Sequence, residues 1–195
     1  MCIRDRFITD DIIEYFVPNM SDVESYVTVN SGANITALND LNLSTLSSAD
    51  LSSTFMLAAL CVNYTELNVN SNVLVKSGAN LSASNLNAEA KTDVKLDVSS
   101  KSSALLDSKL HNSVGDLAVL VLNENINTSS IIEKNVTLDI VKDIVVNADT
   151  KNYVSAATKN GVVPVLDKNE HDGFFGAFAV TVILSLIHIS EPTRH

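Results

Sequence analysis

Tryptophan is absent from the 195 residues, aromatic side chains make up only 5% of them, and there are 3 prolines and 6 glycines. A core cannot be built from aromatic layers here and must come from aliphatic ladders. Positive charge is also scarce: 13 Lys and Arg stand against 23 Asp and Glu, a net charge of −10 at pH 7. An acidic surface disfavours nucleic acid and anionic membranes as partners. Cysteine is limited to Cys2 and Cys61, and Cys2 lies in a terminal segment set aside below, so no intrachain disulfide is expected. Cys61, in Leu-Ala-Ala-Leu-Cys-Val, reads as a small buried hydrophobe. The interior histidines, His111 and His171, fall in no metal-ligand spacing.

The two ends read as foreign. Met1–Arg6 can be encoded by ATGTGTATAAGAGACAG plus one base, and the reverse complement of that oligonucleotide translates to Leu-Ser-Leu-Ile-His and the start of Ile, as found at Leu184–Ile189. The continuation Ser-Glu-Pro-Thr-Arg resembles the rest of a common transposon-based sequencing adapter. Residues 1–6 and 184–195 are therefore expected to be translated adapter and are left out of fold reasoning. Phe174–Ile189, an almost unbroken apolar run, shrinks to Phe174–Ile183, too short to cross a bilayer and better read as a strand. No membrane span is expected in residues 7–183, and the absence of a signal peptide says nothing about location.

What is present is repetition. Val27–Thr45 contains Val-Thr-Val-Asn-Ser-Gly-Ala-Asn-Ile-Thr-Ala, and Val73–Ala90 contains Val-Leu-Val-Lys-Ser-Gly-Ala-Asn-Leu-Ser-Ala, with Gly32 and Gly78 at the same place 46 residues apart. A fixed period in that range marks a repeat architecture. Short alternating pieces follow one another: Leu41-Asn42-Leu43, Leu67-Asn68-Val69, Val73-Leu74-Val75, Leu86-Asn87-Ala88, Val94–Val98 and Val136–Ile140. Strict alternation turns one row of side chains inward and leaves the other in water. Asn, Asp and Ser serve the corners, where their side chains bond the turning backbone.

A second beat of about sixty residues is set by apolar strands beginning at Met56, Leu117 and Phe174. In its second unit, Ile131-Ile132 and Ile144–Ala148 take the places of Val73–Val75 and Leu86–Ala88, and Glu133-Lys134-Asn135 replaces the Ser-Gly-Ala-Asn corner. Residues 7–22 are an irregular terminal segment, a short helix capped by Thr9 or a damaged rung, ended by Pro18. Residues 101–114 depart from the pattern and read as an insertion, with Ala104, Leu105, Leu106 and Leu110 on one face of a short helix capped by Ser102 or Ser103. Val162-Val163-Pro164-Val165 reads as an edge strand, followed by a polar loop at Asp167–Gly173.

These features specify an all-β parallel β-solenoid over residues 23–183. With about 20 to 25 residues per coil, the chain holds on the order of eight coils and spans about 40 Å at the ~4.8 Å strand spacing. Gly32 and Gly78 belong at corners with positive φ. An antiparallel β-sandwich is the alternative, but it calls for hairpin turns, and only Asn160-Gly161 and Asp172-Gly173 offer them.

The succession of an apolar strand, Val-x-Val-x-Ser-Gly-Ala-Asn-Ile/Leu-x-Ala and Asp/Asn-Leu-Asn-Leu/Ala resembles the repeats of large secreted bacterial adhesins, the filamentous-haemagglutinin and leukotoxin-like group. It covers Val23 to about Ala157. The resemblance implies a secreted or surface-anchored β-helical stalk that projects a binding region. Host-surface or matrix glycans or proteins would then be met through other parts of the parent chain, and open coil ends would associate end to end.

No catalytic, metal or cofactor site is nominated. Phosphate-binding glycine loops, Gly-x-Ser-x-Gly elbows and metalloprotease motifs are missing, as is the calcium-binding Gly-Gly-x-Gly-x-Asp nonapeptide. Glu170-His171-Asp172 reads as a solvated loop. The competing reading is a carbohydrate-active β-helix, a lyase or hydrolase, with Asp93, Asp97, Asp139, Asp143 and Asp149 as its carboxylates; hydrolysis needs two of them about 5 to 9 Å apart in a groove. The glycosylation acceptor patterns, Asn-x-Ser/Thr, at Asn34, Asn42, Asn63, Asn80 and Asn135 arise freely in a chain this rich in Asn, Ser and Thr.

Overall fold

The computed structural model describes residues 16–57, 60–105, 116–163 and 177–190. They form ten strands: β1 (Phe16–Val29), β2 (Asn34–Thr36), β3 (Asp40–Leu57), β4 (Leu60–Val75), β5 (Asn80–Ala83), β6 (Asn85–Leu105), β7 (Asp116–Ile132), β8 (Thr137–Ile140), β9 (Ile144–Val163) and β10 (Ala177–Ser190). Every third strand joins the same sheet. Sheet A has the order β1-β4-β7-β10, sheet B β2-β5-β8 and sheet C β3-β6-β9. All of these ladders are parallel. The fold is a parallel β-solenoid, and the antiparallel sandwich is excluded.

One coil is a long A strand, a tight corner, a short B strand, a second corner and a long C strand. Coil size differs from the sequence expectation. Val27 pairs with Val73 and Leu60 with Leu117, so a coil takes 46 residues in the first case and 57 in the second. The described chain therefore forms three coils and the first strand of a fourth, rather than eight coils. Sheet A is about 14 Å deep at the usual strand spacing. The short alternating pieces of the sequence merge into longer strands: in β6, Glu89-Ala90-Lys91-Thr92-Asp93 keep the alternation and join Leu86–Ala88 to Val94–Val98 within one strand of 21 residues.

Other boundaries move for similar reasons. Met56 lies near the end of β3 and closes a coil, while Leu60 opens the next. Pro18 does not end the terminal segment: it sits inside β1, an edge strand, where a missing N–H is tolerated. Ser102 and Ser103 cap no helix, because β6 runs through them to Leu105. Residues 106–115 lie outside the described residues, as do 1–15, 164–176 and 191–195. Strand β10 crosses Ile183 without a break and pairs Leu184–Ser190 with Asn123–Ser129, since the open ladder of β7 accepts any backbone. No helix among the described residues is long and apolar enough to cross a membrane.

The corners follow from backbone chemistry. Gly32 and Gly78 have φ of 76° and 82°, and Asn135, the residue that replaces them in the third coil, has φ of 61°. The amide of Ala33 bonds the carbonyl of Asn30, and that of Ala79 bonds the carbonyl of Lys76. Positive φ at the third position of such a turn is the type II pattern, which Gly serves without strain and Asn tolerates. The corners also stack, with Gly32 N–H bonding Gly78 C=O and Gly78 N–H bonding Asn135 C=O.

Inside, like residues pile up in register: Val23, Val69 and Ile126; Val29, Val75 and Ile132; Ile35, Leu81 and Leu138; Leu51, Leu96 and Val154. Each fully buried Leu or Val contributes about 1.5–3 kcal/mol of transfer free energy. Two apolar clusters result, one where sheet B closes the coil and one between sheets A and C. A seam of hydroxyls separates them. Thr45 meets Ser71 at 2.9 Å, Thr92 meets Thr128 at 2.7 Å, and Thr150 donates to Thr128 at 2.7 Å.

Candidate functional site

Alternation decides which side chains face water, and each sheet presents a different outer surface. On sheet C the outward row of β6 reads Glu89, Lys91, Asp93, Lys95, Asp97, with both signs interleaved. Neighbouring strands continue the pattern, since Lys91 lies in register with Asp149 and Asp93 with Lys151. Lys91 bonds Glu89 at 2.8 Å, and Lys95 approaches Asp50 at 4.0 Å. The Lys91 hydrogen bond holds the Glu89 carboxyl below the usual carboxylate range, against the opposing pull of desolvation, with Asn147 adding to the lowering.

This arrangement separates the five carboxylates of the enzyme reading. Asp93 and Asp97 are four positions apart on one exposed strand, Asp139 is on β8 accepting from Ser82, and Asp143 is in the corner before β9. Asp93 and Asp149 are diagonal neighbours on adjacent parallel strands, about 8 Å apart by strand spacing and rise. Lys91 and Lys151 occupy the register positions beside them, on an exposed face rather than in a cleft. His111, His171, Glu170 and Asp172 lie outside the described residues.

Sheet A is different in kind. Its outward rows carry Asp22, Glu24 and Tyr26 on β1, Tyr64, Glu66, Asn68, Asn70 and Asn72 on β4, and Asn123, Asn125, Asn127 and Ser129 on β7. Amides stack on amides, since Asn68 is in register with Asn125 and Asn70 with Asn127. Bonds along the axis pin the first two rows: Asn68 donates to Asp22 at 2.8 Å and Asn70 to Glu24 at 3.5 Å. Tyr64 donates to Glu66 at 3.0 Å. Desolvation pushes the Tyr26 hydroxyl up, and the hydrogen bond and charge of Glu24 add to the rise. A surface groove of about 410 Å³ runs here, lined by Glu66, Asn68, Asn123, Asn125, Leu184 and Leu186 together with Glu124 and Ser185.

No known protein family, curated protein or solved structure matches this chain. Function has to be argued from these surfaces and from the interior.

The interior holds one group that the sequence reading passed over. Glu124 is 1% exposed, and its Oε2 accepts from Asn152 Nδ2 at 2.9 Å and from Ser185 Oγ at 3.0 Å. Its Oε1 and Asn152 Oδ1 have no partner. Alternation was the available signal: the inward row of Ala118, Leu120 and Leu122 continues to Glu124 and Ile126. Cys61 is free and fully buried, with its sulfur 2.9 Å from Ser100 Oγ. Among the described residues no three His, Cys, Asp or Glu are grouped to hold a metal ion. Of the glycosylation-pattern asparagines named above, Asn63 is fully buried and Asn80 bonds Asn34 at 2.6 Å.

Proposed function

We propose that this chain is a structural stalk segment of a secreted or surface-exposed bacterial adhesin. The observation that supports the reading is the columnar stacking of equivalent residues through successive coils of three parallel sheets. Such a body lengthens by adding coils, since each contacts only its neighbours. Its outer faces on sheets B and C satisfy themselves: Asn80 bonds Asn34, Asn85 bonds Asp40 at 2.6 Å, and the sheet C charges pair. The motif resemblance supplies the adhesin part of the reading, and residues 1–6 and 184–195 are adapter in this view.

The decisive experiment is to recover the coding sequence on either side of residues 7–183. The expected result is further coils of the same grammar on a chain with a secretion leader or surface anchor. Flanking sequence that encodes a cytoplasmic enzyme overturns the proposal. The second reading, a carbohydrate-active β-helix, rests on the diagonal neighbours Asp93 and Asp149. Release of reducing ends or unsaturated sugars from a polysaccharide panel, lost in Asp93→Asn and Asp149→Asn, would favour it.

A further inference from the structure

Charge in this solenoid is segregated by face. Every described Lys lies on sheet C or at a corner, while the described outward rows of sheet A carry Asp22, Glu24 and Glu66 but no Lys or Arg. Of the three sheets only C mixes both signs, and it does so in a fixed order. Along β6 the outward row runs Glu89, Lys91, Asp93, Lys95, and on β9 the residues in register with Lys91 and Asp93 are Asp149 and Lys151. Within the chain Lys91 bonds Glu89 and Lys95 approaches Asp50, whereas Asp93, Asp149 and Lys151 make no ion pair among the described residues. The same face leaves Leu46 of β3, in register with Lys91, 63% exposed.

From this order we infer that the outer face of sheet C docks a second copy of this chain, about a twofold axis parallel to the solenoid axis and midway between the Lys91 and Asp93 positions. Such a rotation sets each strand over its own equivalent with the chain direction reversed. On β6 it brings Lys91 over Asp93 of the second copy and Lys95 over its Glu89, and symmetry makes each pair twice. On β9 it brings Asp149 over Lys151, again twice, because the two rows share one register. The other carboxylates in the overlap meet neutral residues, since Asp50 falls over Ser44 and Asp97 over Asn87. Leu46 and its counterpart then stand one alternate-residue step apart along β3, about 6.6–6.8 Å, so each covers the other. Charge also decides the direction of the axis. A twofold along the strands through β6 would set Lys91 on Lys91 and Asp93 on Asp93. Shifted to lie between β6 and β9, it restores opposite charges but engages two strands and leaves Leu46 bare. The favoured overlap of about 15 residues by three strands covers roughly 700 Å² per copy at ordinary strand spacing and rise, close to the ~800 Å² per partner of a standard interface. Surface pairs are individually weak, so they select orientation more than they add affinity. Both solenoids run the same way, and coils added at either end extend the contact. The inference goes beyond the stalk reading and does not rest on it: a monomeric chain whose flanking sequence encodes further coils sinks the inference alone.

The test is sedimentation velocity of the full chain together with cysteine cross-linking. A dimer is expected with a dissociation constant on the order of 10–100 µM. Lys91→Glu sets like charges together at two places and should raise that constant about tenfold or more. Adding Asp93→Lys to it exchanges the two signs and should restore association. Asp97→Lys, whose position faces Asn87, should leave it unchanged. In a Cys2→Ser background, Leu46→Cys should cross-link to a dimer with a short bismaleimide, and Thr36→Cys on sheet B should not. Far-UV circular dichroism establishes that each variant keeps its strands, and Lys91→Gln, which removes the attraction without adding a like charge, serves if Lys91→Glu does not fold. End-to-end stacking of coils is indifferent to all of these changes. A monomer throughout, full association by a folded Lys91→Glu variant, no recovery on adding Asp93→Lys, equal loss in Asp97→Lys, or no cross-linking through Leu46→Cys overturns the inference.

Discussion

Thr128 engages two hydroxyls at once, with Thr92 and Thr150 each 2.7 Å from its Oγ1. Thr128→Val keeps the shape but leaves the Thr150 donor without its acceptor inside the protein. Leaving a buried polar group unpaired costs about 1–3 kcal/mol, and that loss is expected in urea unfolding. The triple change of Thr92, Thr128 and Thr150 to Val should recover most of it, because no orphaned hydroxyl remains. A triple variant less stable than the single one would show that the seam stabilises outright. At the corners, Gly78→Ala places a Cβ at φ 82° and 3.1 Å from Ser31 Oγ, whereas a Cβ on Gly32 meets nothing within 4 Å. Both substitutions should cost about 1–2 kcal/mol from the left-handed backbone, with Gly78→Ala the larger. Asn135→Gly should be neutral within about 0.5 kcal/mol, as the relief of strain offsets the greater freedom of the unfolded chain.

At the level of strands, inner and outer rows were legible because alternation is a local property. So were the corners, since Gly32 and Gly78 announce positive φ in the sequence itself. The pairing of Ile131-Ile132 with Leu74-Val75, and of Ile144 with Leu86, was legible from the repeat. Strand length was not. Thr92 and Thr128 fall between the short apolar pieces of the sequence, and each finds a hydroxyl partner on the opposite sheet that satisfies it inside a long strand. Glu124 escaped notice for the same reason, as its partner Asn152 comes from the opposite sheet of its coil and Ser185 from the next strand of sheet A. On β6, Glu89 yields a pH dependence of stability. Its folded pKa is lowered chiefly by the hydrogen bond to Lys91, so the contribution is present above the unfolded pKa and is lost as pH falls through the folded one. Glu89→Gln should flatten the acid limb of a thermal-melt series by a small amount, since surface pairs are weak; an unchanged limb would remove Glu89 from the account.

For the isolated chain, the consequential feature is that the two ends of its described coils do not match. At one end β1, β2 and β3 are all unpaired edges, so the first coil presents a level rim. At the other, β8 and β9 are unpaired edges while β10 adds a further strand to sheet A alone. With no described strand of sheet C opposite it, β10 is exposed on both faces, and Leu184, Leu186 and Ile187 are 56%, 65% and 45% exposed. Unpaired strand edges template pairing with another chain. A second copy stacking head to tail would bring its β1 against β10 while its β2 and β3 stood one strand spacing, about 4.8 Å, short of β8 and β9. Strand β10 therefore obstructs stacking as much as it offers an edge. A chain ending at Val163 has level rims at both ends, and it should associate at several-fold lower concentration than the full chain in size-exclusion chromatography with light scattering. The species formed should lengthen along one axis by X-ray scattering, because each added copy exposes the same rim again. If the shortened chain elutes as a clean monomer at high concentration while retaining its strand signal, the edges of β8 and β9 are protected by something other than β10, and the end-to-end reading of this solenoid fails.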